Sequence, residues 1–198
     1  MNILIVGDEE QIEEIKIEKA TDERAVFFEQ AIPEDVSDFE VILLLNEKVS
    51  LLGQQGLMGK YIIVNDVEGP LPTESTSFKI ARFNGWRTFL KNRVWEAAST
   101  HEEEFKNIFA LLNREVLFVK DQPGLISARV ISRIINEAFY ALNEKVSSKE
   151  EIDLAMKNGT NYPYGPFEWG EKIGLKNVYD LLCKLSETDK SYSPAFTL

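Results

Sequence analysis

Apolar and polar positions along the first 120 residues alternate in short blocks. Runs of four or five apolar residues with β-branched character recur, beginning with Ile3-Leu4-Ile5-Val6. Runs that are apolar at every position belong to strands buried on both faces of a sheet. The pattern predicts strands at Ile3–Val6, Val41–Leu45, Tyr61–Asn65, Phe78–Phe83, Val94–Ala97 and Val116–Val119. Between them, Glu9–Ile15, Leu51–Met58 and Glu103–Leu112 carry helical spacing. Strands alternating with helices imply an α/β layer with a largely parallel sheet. Gly69-Pro70-Leu71-Pro72 reads as a loop inside that layer.

From Pro123 the period changes. PGLISARVISRIINEAFYALNEKV predicts one long helix, with apolar positions at Ile126, Val130, Ile131, Ile134, Ile135, Ala138, Phe139 and Leu142. That stripe is wider than one core contact needs, so two buried faces are expected. Ser148-Lys149-Glu150-Glu151 is a capping box, which starts a helix through Met156 that Asn158-Gly159 should end. A helix opening at Pro166, a break at Gly174 and a last helix over Asn177–Leu185 complete a small bundle. The switch near Asp121 divides the chain into an α/β domain, residues 1–120, and an all-α domain, residues 121–198.

The net charge of −11 is carried mostly by the front of the chain: residues 1–60 hold 14 acidic against 5 basic residues. Such a surface repels nucleic acid and anionic membrane, so neither is an expected partner, though a well-solvated surface alone would explain it. There is no run of about 18 apolar residues to span a membrane, and no signal-peptide pattern is evident at the N-terminus. Cys183 is the only cysteine and has no intrachain partner, which fits a reduced, cytoplasmic setting. As a residue it reads as a small buried hydrophobe.

The opening strand ends at Gly7, as in a dinucleotide-binding, Rossmann-like unit, where G-x-G-x-x-G should follow. Counted from Gly7, the other two glycine positions hold Glu9 and Ile12, and Asp8, Glu9, Glu10, Glu13 and Glu14 put negative charge where two phosphates would sit. The strand is present and the phosphate chemistry is not. Nothing in the sequence has metal-ligand spacing, a nucleophile elbow or a phosphate-binding loop.

The segments VKDQPGLISARVISRIINEAFYAL, EEIDLAMKNGTNYPYGPFEWGEKIGL and YSPAF match, in order and spacing, the pattern V-K-D-x-P-G-F-I-x-N-R, N-E-A, then D-x-A-M-x-x-G-x-x-Y-P-x-G-P-F. This stretch resembles the C-terminal domain of the 3-hydroxyacyl-CoA dehydrogenases, including the bacterial 3-hydroxybutyryl-CoA enzymes. The first half is similar to the family's nucleotide-binding domain in Asp38-Phe39-Glu40-Val41-Ile42, in Arg82-Phe83-Asn84 (H-F-F-N-P in the family) and in REVLFVKD. About 120 residues is short for that domain, and the missing length is expected between the first strand and Asp38, where the second strand and a helical pair would lie. The implied fold is an abbreviated Rossmann-like parallel sheet followed by a helical domain that dimerises and closes one side of an acyl-CoA cleft.

The resemblance also implies an NAD-dependent dehydrogenase, in which a histidine takes the hydroxyl proton and a glutamate orients it. The aligned histidine position is Ala81, and the asparagine of P-G-F-I-x-N-R is Ala128. Alanine neither donates nor accepts a proton. Glu96 is the one candidate for the glutamate, a few residues past the family spacing. The family's N-T-S-S serine segment here reads Asn65-Asp66-Val67-Glu68. Gly7 is the remnant of the cofactor turn. Tyr162, Pro163, Gly165, Pro166 and Phe167 form a corner that either is architecture or faces the cleft or a subunit contact.

His101 reads as a solvated helix-start residue rather than a base. Arg82 and Arg87 are either scattered surface charges or ligands for a coenzyme A phosphate. Trp86 and Trp95 are core residues or cover a ring or acyl chain. Asn46-Glu47 and Asp66-Glu68 offer carboxylates with nothing to show that they converge.

Three readings follow. The leading one is a divergent, non-catalytic family member that dimerises through its C-terminal helices and binds an acyl-CoA or a partner protein. The alternative is an active NAD-dependent 3-hydroxyacyl-CoA dehydrogenase with an atypical site. A third is a structural subunit of an active homologue.

Overall fold

The computed structural model describes residues 1–17, 23–46, 57–71 and 77–198. Two compact units divide them, Met1–Leu125 and Ile126–Leu198. The first unit holds β1 (Asn2–Val6), α1 (Glu9–Ile15), β2 (Ala25–Glu29), β3 (Val41–Leu44), β4 (Tyr61–Asn65), β5 (Lys79–Phe83), β6 (Val94–Ser99), α2 (Glu102–Leu111) and β7 (Glu115–Phe118). They form one seven-stranded sheet in the order β2-β1-β3-β4-β5-β6-β7. All neighbours run parallel except β5 and β6.

The continuous apolar runs occupy the sheet's middle, where both faces are covered. Ile3, Ile5, Leu43, Ile63, Ala81, Phe83, Trp95 and Ala97 join Phe105 and Phe109 of α2 on one face. Leu4, Val6, Ile42, Leu44, Ile62 and Val64 make the core of the other. Trp86 and Trp95 are both buried, as core residues. Because β1 pairs with β2 on one side and β3 on the other, the chain order reverses at β1. The carboxyl ends of these strands therefore flank a topological switch point.

The second strand, expected to be missing, is present as β2. What the stretch from β2 to β3 lacks is a helix: residues 30–40 run as turns and bends. The expected helix Leu51–Met58 falls mostly outside the described residues, as do Glu47 and Pro72.

The second unit holds α3 (Ser127–Asn143), α4 (Lys149–Thr160), α5 (Pro166–Ile173) and α6 (Leu175–Ser186), then a short turn at Lys190–Tyr192. Ile131, Ile135 and Phe139 of α3, Phe167 and Ile173 of α5, and Val178, Leu181, Leu182 and Leu185 of α6 are its buried apolar side chains. Among the described residues, α3 buries the face of Ala128, Ile131, Ile135 and Phe139. Ile126 and Val130, expected on a second covered face, are 50% and 53% exposed.

Ser148 caps α4 with the expected capping box to Glu151. The helix then runs through Asn158-Gly159, where a stop was expected, and ends at Asn161, which takes the left-handed conformation at φ 57°. Glycine inside a helix costs only about 1 kcal/mol, whereas a left-handed residue stops it outright.

Candidate functional site

At the carboxyl ends of β1, β2 and β3 lies an open crevice of about 410 Å³, lined by Asp8, Glu9, Glu10, Gln30, Asn46 and Arg87. Gly7, directly before Asp8, is glycine for a packing reason. A Cβ there would lie 2.8 Å from Leu45 Cδ1 and 3.2 Å from Gln11 Oε1. Its amide still donates to Glu29 O (3.0 Å), so β1 stays paired to its end.

The turn after Gly7 needs no further glycine because it is built as a capping box. The Asp8 carboxylate accepts from Gln11 N (2.9 Å), and the Gln11 side chain accepts from Asp8 N (3.0 Å). Gln11 Nε2 also donates to Leu45 O (3.2 Å), which ties the helix start to the end of β3. The D-x-x-Q spacing is a readable signal for this cap that the glycine count obscures.

Arg87, from the β5–β6 connection, enters the same crevice. Its guanidinium pairs with Asp8 (2.9 Å) and Glu10 (2.6 Å). Burial alone would raise the Asp8 carboxyl, but the Gln11 amide and Arg87 outweigh it and hold its pKa below the ordinary value. The hydrogen bond to Asp8 likewise raises Arg87, against a smaller opposing effect of burial. Glu14, one turn further along α1, accepts from Thr88 N (3.0 Å) and Lys91 N (3.4 Å). Three of the five carboxylates in the acidic opening thus hold the β5–β6 connection. Glu9 accepts from Gln30 (3.1 Å). No signal in the sequence links Arg87 to Asp8 across 79 positions.

These residues do not fit a dinucleotide. Phosphates need backbone N–H groups at close approach and positive charge. Here carboxylates line the turn, and Arg87, the one cation among the described lining residues, is already paired.

The remaining candidates lie apart from the crevice. Ala81 is fully buried in the α2-side core. Glu96 stands between Trp95 and Ala97, both in that same core, so its side chain projects to the opposite face of the sheet. β6 is four strands from β1, about 19 Å at ~4.8 Å per strand. The structure therefore brings Glu96 neither to the face of Ala81 nor to Gly7.

Arg82 is no surface charge. It is 1% exposed, pairs with Asp121 (2.5 Å) and donates to Asp66 O (2.9 Å) and Gln122 O (2.6 Å). Asp66 is occupied by its own loop, its carboxylate accepting from Glu68 N and Gly69 N at 3.0 Å each. His101 stands at the start of α2 without a side-chain cap bond. Among the described residues no cluster of three or more metal-ligating side chains occurs.

In the helical unit, Ala128 is buried in the first turn of α3. The corner residues come together as one rigid construction. Gly165 is the N-cap of α5 and Pro166 its first residue. Phe167 packs on Phe139 with ring centroids 4.9 Å apart. Tyr162 and Tyr164 meet Trp169 edge-on at 6.1 and 5.8 Å, and Pro163 is exposed. Asn136, the N of N-E-A, clamps the chain's last segment, donating to Ser193 O (2.9 Å) and accepting from Ala195 N (2.8 Å).

A mostly parallel sheet whose strand order reverses at β1, followed by a helical unit, is a Rossmann-like sheet with an added helical domain. Residues 124–197 match the family model for the 3-hydroxyacyl-CoA dehydrogenase C-terminal domain. The chain is 40% identical over 87 residues to the 3-hydroxyadipyl-CoA dehydrogenase of Escherichia coli K12, covering 43% of this chain and 18% of that protein. It is 38% identical over 94 residues to a 3-hydroxybutyryl-CoA dehydrogenase of Bradyrhizobium diazoefficiens, covering 46% of this chain and 32% of that protein. The matched stretches thus span less than a third of these curated relatives. In fold, the chain resembles the (S)-3-hydroxybutyryl-CoA dehydrogenase of Ralstonia eutropha, with a TM-score of 0.72, 18% identity, and coverage of 99% of this chain and 91% of that one. The helical unit thus matches the C-terminal domain of the 3-hydroxyacyl-CoA dehydrogenases, and the sheet shares their fold. No helix among the described residues is long and apolar enough to cross a membrane.

Proposed function

We propose that this protein is a family member that does not carry out hydride transfer, and that its helical unit is the working part, as a homodimer that binds acyl-CoA. The observation that carries the reading is the crevice at the switch point, where Asp8 and Glu10 hold the chain's own Arg87. Ala81 and Ala128 agree with it, since neither can move a proton and both are buried. Fold kinship alone does not confer activity when site residues differ.

The half-exposed stripe of Ile126 and Val130 on α3 supports association through the C-terminal helices. Acyl-CoA is the ligand class to test because the relatives are named for CoA thioesters. The lone Cys183 suits a reduced, cytoplasmic setting.

The test is a calorimetric titration with acetoacetyl-CoA, with and without NADH in the cell, alongside a turnover assay. The reading expects saturable heat independent of NADH and no turnover above background. Heat that requires NADH, or turnover that survives purification, refutes it. Absence of binding in both conditions refutes the acyl-CoA assignment. In sedimentation velocity the chain is expected as a dimer, and Ile126→Glu with Val130→Glu as a monomer.

A further inference from the structure

The β5–β6 connection is anchored at both ends and sends Arg87 into the crevice between them. At its start Gly85 N donates to Asn65 Oδ1 (2.9 Å) and Trp86 is buried. At its end Leu90 is fully buried, and its carbonyl accepts from Trp95 Nε1 (3.2 Å). Between these anchors Arg87 and Thr88 lie against α1. Thr88 has φ 78°, a conformation that a β-branched residue adopts only when its surroundings impose it. Those surroundings are the carboxylates of Asp8 and Glu10 on Arg87 and of Glu14 on the Thr88 and Lys91 amides.

We propose that Gly85–Lys91 is a strap latched to α1 beside the crevice, an autoinhibitory contact in which Arg87 takes the place of a ligand. It rests on the reading that this chain does not use a dinucleotide and names the device that keeps one out. The acidic opening of the sequence then has a positive purpose. Carboxylates at Asp8, Glu10 and Glu14 would repel a phosphate and at the same time grip the strap.

Two double variants with the same charge change separate the latch from simple charge. Asp8→Asn with Glu10→Gln removes the partners of Arg87, and asparagine keeps the cap of α1. Glu13→Gln with Glu102→Gln lowers the negative charge equally at two exposed positions that neither line the crevice nor touch Arg87. Amide exchange of residues 85–91 is followed by mass spectrometry, and NADH is titrated by fluorescence.

The expected result is exchange at least tenfold faster in the first variant, with NADH affinity at least tenfold above that of the unmodified chain. The second variant is expected to stay within threefold of the unmodified chain in both measurements. Equal NADH affinity in the unmodified chain and the first variant, including no binding to either, overturns the latch. So does an equal gain in the second variant, or faster exchange throughout β1–β5, which would make the ion pairs general stabilisers. Turnover by the unmodified chain would sink the non-catalytic reading separately, because the latch is judged on the difference between the two variants.

Discussion

The carboxylate of Asp153, on α4, closes over Gly165 and takes the first two free amides of α5. It accepts from Phe167 N at 2.8 Å and from Glu168 N at 3.0 Å. Pro166 at the first helical position has no N–H to satisfy, so these two bonds complete the helix start. A Cβ on Gly165 would lie 2.2 Å from Asp153 Cγ. The Asp and the Gly of the D-x-A-M…G-P-F pattern are therefore one device.

Gly165→Ala is expected to push the Asp153 carboxylate off α5 and cost about 2–3 kcal/mol. Asp153→Ala loses the cap without the clash, at about 1–2 kcal/mol. Urea unfolding of both variants checks the order. A Gly165→Ala chain as stable as the unmodified one would show that the corner tolerates a side chain.

The Asn136 clamp predicts a local effect. Asn136→Ala leaves the Ser193 carbonyl and the Ala195 amide without the Asn136 side chain they now bond, a cost of about 1–3 kcal/mol. Amide exchange of residues 193–198 should accelerate more than that of α5. Asn136→Asp keeps the acceptor for Ala195 but sets a buried carboxylate oxygen against the Ser193 carbonyl, so it should cost at least as much as Asn136→Ala.

Asp8 gives the crevice a pH dependence of defined sign. Its folded pKa lies below the ordinary 3.8. A carboxyl depressed on folding contributes stability that is complete above its unfolded pKa and is lost as pH falls through the folded one. Asp8→Asn should therefore lower stability at pH 6 and change it less at pH 3. The difference should stay under about 1 kcal/mol, because Asp8 and Arg87 are both partly exposed and screened. Denaturant unfolding at the two pH values reads it directly.

Placing histidine at position 81 and asparagine at position 128 should not produce hydride transfer. Ala81 is enclosed by the α2-side core, so Ala81→His overfills it at about 1–3 kcal/mol. The double variant Ala81→His, Ala128→Asn is expected to melt lower and to show no oxidation of NADH with acetoacetyl-CoA. Turnover by that variant would place position 81 in a working site.

The strands buried on both faces were legible in the sequence because continuous burial leaves a continuous apolar run. So were the Ser148 cap and the Pro166 helix start, which depend on neighbours within three residues. β2 was not legible. It is an edge strand whose Phe27 is exposed while Val26 and Phe28 meet the core, a pattern too short to read without its parallel pairing to β1.

By itself, the sequence determined the two-part order of an α/β layer and a helical bundle, the absence of a glycine-rich turn after Gly7, and the alanines at positions 81 and 128. Tertiary structure alone decided what the acidic opening does, where Arg82 and Arg87 go, and why Gly165 must be glycine. The physical reason is range. Propensity, caps and periodicity act over a few residues and are written locally. Arg87 meets Asp8, Arg82 meets Asp121 and Asn136 meets Ala195 only after folding has brought distant segments together.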